Sequence, residues 1–329
     1  MSRIVAATPE AIAEAAALLA RGELVAFPTE TVYGLGARAL DAAALGRIFA
    51  AKGRPATHPL IAHVRDADGA AALAASWNAR AQALAARFWP GPLTLVVPRG
   101  PSVPAALSGG KATVALRAPQ HPVAQALLAA LGEPIAAPSA NRYQTVSPTT
   151  AAHVARSLGD QVQLILDGGP CAAGLESTVL DLTVDPPALL RPGALPLSAL
   201  RSLVPQLVLA AGVVDDEAAR HSPGQDAVHY APRARLRLLP RAVAIAAARA
   251  HDGAAGLIIR QPWFDASPPL PARVTVAQLP DDAAGFGRAL YAALHALDDA
   301  GVGLIAVESP PDYEAWLAVA DRLRRAAAK

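Results

Sequence analysis

The sequence predicts a mixed α/β protein in two parts, and three observations predict it. Up to about residue 203, many short apolar runs are separated by irregular helical stretches, the pattern of a mixed sheet rather than a regular doubly wound one. From about Val204 to Pro232 the periodicity loosens. From Arg235 strand and helix alternate regularly, which predicts a small parallel, Rossmann-like α/β domain. The expected division is a first domain at 1–203, a linker at 204–234 and a second domain at 235–329.

Each element has its own signal. Thr8-Pro9-Glu10 opens a helix with an N-cap, a first-position proline and an early acid, and Gly22 closes it. Glu23 to Phe27 reads as a buried strand. It leads into Pro28-Thr29-Glu30-Thr31-Val32-Tyr33-Gly34-Leu35-Gly36, a loop of hydroxyl and backbone N–H groups suited to a small polar ligand. Asp41 caps a second helix and Gly53 stops it. Asp68 to Phe88 reads as one helix, Trp89-Pro90-Gly91-Pro92 as a rigid turn, and Leu93 to Val97 and Thr113 to Arg117 as strands. His121-Pro122 starts a helix, Ile135 to Pro138 is a strand, and Ser147 is expected to cap a helix through Leu158. Strands follow at Leu164–Asp167, from Thr178, and before Gly193. In the second domain, strands are expected at 235–239, 257–259, 274–277 and 302–307. Helices are expected at 281–297 and 313–328, the last with Trp316, Ala320 and Leu323 on one face.

Composition narrows the function. The chain has 329 residues, 53% hydrophobic and 17% charged, which excludes a disordered chain. Its net charge of +2 argues against a strongly electrostatic partner. The basic clusters Arg233/Arg235/Arg237 and Arg322/Arg324/Arg325 are short and read as solvated faces. The single cysteine, Cys171, excludes an internal disulfide framework and a cysteine-based zinc cluster. The start of the chain is not basic then apolar, and no apolar run reaches the roughly 18 residues of a membrane span. A cytoplasmic, soluble protein is expected.

Candidate binding residues follow from residue type. Lys52, Lys111 and Lys329 are the only lysines, so a lysine inside a motif stands out. Lys52 in the last turn of a helix complements the helix dipole; Lys52 and Arg54 around a glycine would equally aim two cations at an anion such as a triphosphate. His58 and His63 lie on a stretch read as extended, where five-residue separation puts them on opposite faces, unsuited to one shared metal. Composition and spacing by themselves stop at a protein that binds a small anion such as a nucleotide.

Taken together and in order, the motifs resemble the YrdC-like family in its two-domain, threonylcarbamoyl-AMP-synthesising form. They are Pro28 to Gly36, Lys52-x-Arg54-Pro55, Pro90-Gly91-Pro92-Leu93-Thr94, Ser139-x-Asn141, Ser147-Pro148-Thr149, Gly174-x-Glu176-Ser177-Thr178-Val179 and Leu190-Arg191-Pro192-Gly193. Ser222-Pro223-Gly224 and His229-Tyr230-Ala231-Pro232 follow. The resemblance implies a YrdC-like twisted mixed sheet followed by the Rossmann-like domain, with the linker over the active site. It implies a nucleotidyltransferase that joins L-threonine, bicarbonate and ATP, with Mg²⁺, into threonylcarbamoyl-adenylate and pyrophosphate. The product would pass through separate transferase proteins to adenosine 37 of tRNAs that read ANN codons, and a weak tRNA contact is allowed. By the same resemblance Lys52, Arg54, Ser139 and Asn141 surround the phosphates and reacting groups. His58, Thr113, Ser147, Arg191 and Tyr230 match positions near ATP. Thr31, His63, Arg117, Ala137 and Ser177 match positions near threonine, with Arg117 as the carboxylate clamp and Ala137 acting through its backbone. No dedicated protein metal site is expected. The sequence departs from the family at His58, often Asn there, at Gln144, often Gly, and at Gln225 to Val228. Two other classes stay open: an RNA- or ribosome-binding module, and a carbamoyl-transferring enzyme with another acceptor.

Overall fold

In a computed structural model, residues 2–210, 227–262 and 269–329 are described. Residues 2–143 with 147–210 form one compact unit, and residues 144–146 with the described residues from 227 onward form a second. The expected motif Ser222-Pro223-Gly224 and the atypical Gln225 and Asp226 lie outside the described residues.

The first unit is built on a mixed sheet. Its strands are β1 (Arg3–Ala6), β2 (Val25–Phe27), β3 (Gly34–Arg38), β4 (Ile61–His63), β5 (Leu93–Pro98), β6 (Thr113–Arg117), β7 (Ile135–Ala136), β8 (Leu164–Asp167), β9 (Thr178–Asp181), β10 (Ala188–Arg191) and β11 (Val208–Leu209). Among the described residues they run in the order β1-β8-β2-β3-β7-β4-β6-β5-β9-β10-β11. β4 pairs parallel with β6 and β5 with β9, while β6 with β5 and β7 with β4 are antiparallel. Helices Pro9–Ala20 and Pro122–Leu131 bury their apolar stripes with β2 and β8, where Leu19, Leu127, Phe27 and Leu164 are wholly inaccessible.

Local chemistry sets the helix ends. Thr8 accepts the Ala11 N–H, and Asp41 accepts those of Ala43 and Ala44. Gly53 ends helix Ala42–Lys52 with a left-handed φ of 63°, a backbone glycine adopts without strain. That cap turns the chain sharply between Lys52 and Arg54, so both cations leave the same corner.

Several expectations need correction. The single helix read over 68–88 is two, Ala67–Ala71 and Ala79–Phe88. Asn78 accepts the Ala81 N–H and starts the second afresh, a cap that the alanine-rich stretches on either side obscure. Ser147 does not cap the next helix; Thr150 does, by accepting the His153 N–H, and the helix is Ala151–Leu158. His58 lies in a turn rather than on an extended segment, which starts only at Ile61.

The second unit is a parallel sheet of β12 (Arg235–Leu239), β13 (Ala255–Arg260), β14 (Val274–Leu279) and β15 (Leu304–Glu308), ordered β12-β15-β13-β14. The last helical segment is a short 3-10 turn, Glu314–Trp316, then helix Leu317–Ala327. Its inner face carries Val319 and Leu323, with Ala320 only partly buried. Arg322 and Arg325 are not a solvated face: they are 1% and 7% exposed. Asp321 pairs with both, and the Arg322 guanidinium lies 5.1 Å from the Tyr230 ring centre. Sequence distance hid this, because the aromatic partner is some ninety residues upstream.

At the carboxyl ends of β13 and β15, buried Glu308 accepts from Arg260 Nη2 at 2.7 Å and the Arg260 N–H at 3.0 Å, and pairs with Arg241 Nε at 3.0 Å. Removing the carboxylate takes away the buried counter-charge of Arg241 and leaves Arg260 with the more exposed Asp281, 2.8 Å from its Nη1. Because both arginines keep some solvent contact, Glu308→Ala is expected to cost about 2–3 kcal/mol, below the full value for a buried pair. Denaturant unfolding of this unit reads the loss; a change below about 0.5 kcal/mol would mean that the network is worth no more than surface pairs.

Candidate active site

The opening loop folds around one hydroxyl. Thr29 Oγ1 accepts the N–H groups of Thr31 and Val32 at 3.2 Å each and donates to the Val32 carbonyl at 2.6 Å. Its proton is therefore committed, so the 2.8 Å contact with Thr31 Oγ1 is a bond that Thr31 donates. Thr31 is left to accept, and it accepts from Arg117 Nη1 at 2.9 Å. The loop is tied to the next motif through Ala140 N–H to the Tyr33 carbonyl and an isolated bridge between Gly34 and Ser139.

Strand register places the rest. β4, β6, β5 and β9 run side by side, so residues opposite one another share a face. His63 lies opposite Arg117, the β5–β6 register carried one residue past Leu95 and Leu116 brings Thr94 to Arg117, and Ser177 follows on that face from Val179, which is opposite Thr94. One end of this face is thus a polar row: His63, Arg117, Thr94 and Ser177, with Thr94 and Ser177 hydroxyls 2.7 Å apart. Beside this row on the same face, Ile61, Ala115, Val96 and Val179 form a buried apolar cluster. Thr113 comes beyond Ala115 at the far end of β6. Ala137 joins the same face beside Ile61, whose carbonyl accepts its N–H at 3.0 Å.

Two further groups border that row. Lys52 Nζ donates to the carbonyls of Ser139 and Asn141, both at 2.5 Å, so Lys52 holds the backbone of the Ser-x-Asn motif. Arg54 donates to the Pro59 carbonyl at 3.2 Å and lies 6.0 Å from the Tyr143 ring centre; His58 meets that ring edge-on at 5.5 Å. Arg191 sends Nε and Nη2 to the Ser177 carbonyl, and Nη2 also to Ser177 Oγ. Ser147 Oγ donates to Glu176 Oε1 at 2.6 Å. Lys52, Arg54, His58, His63, Arg117, Asn141, Ser147, Ser177 and Arg191 are all buried, which for so many polar groups is unusual outside a site. Of the expected residues, Tyr230 belongs to the second unit, with φ 61°, stacked on Tyr291 at 5.8 Å.

The burial has electrostatic consequences. Burial, and then the charge of Arg54, pushes the Lys52 ammonium well below the usual lysine range. Burial, reinforced by Arg117, lowers His63 to about 3, against backbone bonds at Ile61 and Ile135 that pull the other way. His63 is therefore neutral across the physiological range and acts as a hydrogen-bonding group, not a cation. In the unfolded chain its pKa returns to 6.5, so below that pH the unfolded state takes up a proton that the folded state refuses. Stability should then fall by about 1.4 kcal/mol per pH unit from 6.5 toward 3 through this group. Comparing the pH dependence of unfolding in wild type and His63→Asn tests it: equal slopes would mean that His63 protonates while folded.

Sequence reasoning missed four residues. Glu30, Thr94 and Glu176 stand inside recognised motifs but received no role. Glu30 pairs with Arg117 Nη2 at 2.7 Å, and Thr94 and Glu176 bond to Ser177 and Ser147. Tyr143 had no signal in the sequence, since only the fold brings it to Arg54 and His58. Among the described residues no three or more His, Cys, Asp or Glu side chains are grouped to hold a metal ion. No described helix is long and apolar enough to cross a membrane.

Residues 17–193 match the Sua5/YciO/YrdC family model, described as "Telomere recombination", and residues 196–328 match the model "Threonylcarbamoyl-AMP synthase, C-terminal domain". The chain belongs to the Sua5/YrdC family of threonylcarbamoyl-AMP synthases. Membership makes it an enzyme of the nucleotidyltransferase type. It is 41% identical over 321 residues to the threonylcarbamoyl-AMP synthase of Pyrococcus abyssi, covering 95% of this chain and 92% of that one. With the Bacillus subtilis synthase it shares 40% over 324 residues, covering 96% and 92%. Its fold superposes on P. abyssi Sua5 complexed with L-threonine with a TM-score of 0.90 at 40% identity, over 99% of this chain and 98% of the other. The expected mixed α/β architecture with a smaller parallel-sheet part is that of the Sua5 structures.

Proposed function

We propose that this family member condenses L-threonine, bicarbonate and ATP into L-threonylcarbamoyl-adenylate and pyrophosphate. The observation that carries the reading is the polar row on β4, β6, β5 and β9, flanked by the buried Lys52 and Arg54 corner: one place for an amino acid and one for polyphosphate. Threonine would lie at Thr31, His63, Arg117, Ala137 and Ser177, its α-carboxylate on the Arg117 fork. ATP, entering as its Mg²⁺ complex, would lie toward Lys52, Arg54, His58, Thr113, Ser139, Asn141, Ser147 and Arg191. Tyr230 is assigned to ATP by family resemblance alone.

The chemistry balances without a covalent enzyme intermediate. The threonine ammonium and bicarbonate give an N-carboxylate, one water and one proton. A carboxylate oxygen of that group then attacks the α-phosphorus, the bond to the bridging oxygen breaks, and pyrophosphate leaves. The protein's part is alignment and neutralisation of phosphate charge, done by Lys52 and Arg54. The adenylate is handed to separate transferase proteins for N6-threonylcarbamoylation of adenosine 37 in tRNAs that read ANN codons. The proposal keeps the division 1–203, 204–234 and 235–329 and a cytoplasmic place of action.

Pyrophosphate release from MgATP is the test, with L-threonine and then bicarbonate omitted, and serine as control. Release that needs both, with threonine preferred, supports the reading. Release indifferent to threonine reopens the acceptor; none from folded protein favours an RNA-binding module.

A further inference from the structure

Glu30 is a buried carboxylate that the reaction above does not use. It is 8% exposed, and its two carboxylate oxygens face different groups, one a cation and one a backbone N–H. Oε1 lies 2.7 Å from Arg117 Nη2, Oε2 accepts the Gln120 N–H at 3.1 Å, and its carbonyl accepts the Ala173 N–H at 2.8 Å. We infer that Glu30 sets the amino-acid pocket's preference for a zwitterion over a simple anion. The inference rests on the proposed seat of an α-carboxylate at Arg117.

A guanidinium has five N–H donors. Arg117 gives its Nε–H to the Gly91 carbonyl and one Nη1–H to Thr31 Oγ1, while Nη2 stands 2.7 Å from Glu30 Oε1 as an ion pair outside hydrogen-bond geometry, so the remaining Nη1 and Nη2 N–H groups form a fork for a ligand. The groups that couple to this ion pair add no charge near neutral pH: burial holds His63 down at about 3, burial lowers His121 from the usual histidine value although Glu30 pulls it up, and burial, then Glu30, pushes the Cys171 thiol up to about 12. The pair is thus internally balanced. A simple carboxylate binding to Arg117 brings an uncompensated negative charge beside Glu30 in a pocket with little water to screen it. An amino acid brings the same carboxylate with an ammonium one carbon away, and the ammonium faces a local field that Glu30 keeps negative. Glu30 acts as a specificity residue through charge balance, and as a positioning residue for Arg117.

The probe pair is L-threonine and 3-hydroxybutyrate, which is threonine without its amine. Calorimetry on the full chain with MgATP present measures both in wild type and in Glu30→Gln. Wild type should prefer threonine by about 100-fold, and Glu30→Gln should narrow that ratio by about tenfold or more, weakening threonine and tightening 3-hydroxybutyrate. MgATP affinity should not move, which shows that the variant is folded. Glu30→Asp, which keeps the charge, should keep the preference. Equal weakening of both ligands in Glu30→Gln would reduce Glu30 to a prop for Arg117 and overturn the inference. So would wild type binding the two ligands within about threefold of each other, a result that needs no variant. Wild type that binds MgATP but no threonine would sink the threonine seat itself, and the inference with it.

Discussion

Lys52→Ala should lower kcat/KM for threonine-dependent pyrophosphate release by about 10²–10³-fold, the usual cost of removing one charged donor from a transition state. The side chain has two jobs. Its Nζ bonds the Ser139 and Asn141 carbonyls and so fixes the backbone next to the proposed phosphates. It also stands 4% exposed beside Arg54, where burial and like charge disfavour its own ammonium. An arriving triphosphate reverses that penalty by supplying the missing counter-charge, so binding energy and protonation are linked. Wild-type ATP binding at alkaline pH should therefore take up protons, and Lys52→Ala should not. Calorimetry in two buffers of different ionisation enthalpy measures the uptake. Folding should change little, because the substitution removes an unfavourable buried cation along with two hydrogen bonds. Near-normal turnover, or unchanged proton uptake, would place the polyphosphate elsewhere.

Most of the first unit's elements were legible because their signals are local. Thr8, Asp41 and Gly53 each act within a few residues, and a cap is written where it works. The parallel second unit was legible from alternation alone. What the sequence left dark depends on contacts between distant residues. Arg322 looks like a surface charge until Tyr230 is folded against it. Ser147 looks like a helix cap because its neighbours Pro148 and Thr149 fit one; its hydroxyl is instead claimed by Glu176, 29 residues on. Asn78 was overlooked because alanine, a strong helix former, is frequent on both sides of Ser76-Trp77-Asn78 and suggests one continuous helix. At the site, residue types in motifs named Arg117 and Thr31, but not that Glu30 would occupy one side of the guanidinium. A motif names the groups; only sheet register states which of them face each other.

Arg117→Ala should damage binding and stability together, and a second substitution should separate the two. The guanidinium is 3% exposed and is the counter-ion of Glu30, so truncating it strands a buried carboxylate. The expected cost is about 3–5 kcal/mol, seen as an earlier denaturant midpoint. The double variant Glu30→Gln with Arg117→Met removes both charges and fills the space with a flexible apolar chain. It should recover most of that stability, since a buried ion pair is often no better than well-packed neutral groups. Threonine affinity should stay about 100-fold or more below wild type in both proteins, because the carboxylate fork is gone. MgATP affinity should stay close to wild type in the double variant, because Lys52 and Arg54 are untouched. If threonine binding returned along with stability, Arg117 would be a structural charge and the carboxylate would be held elsewhere on the row.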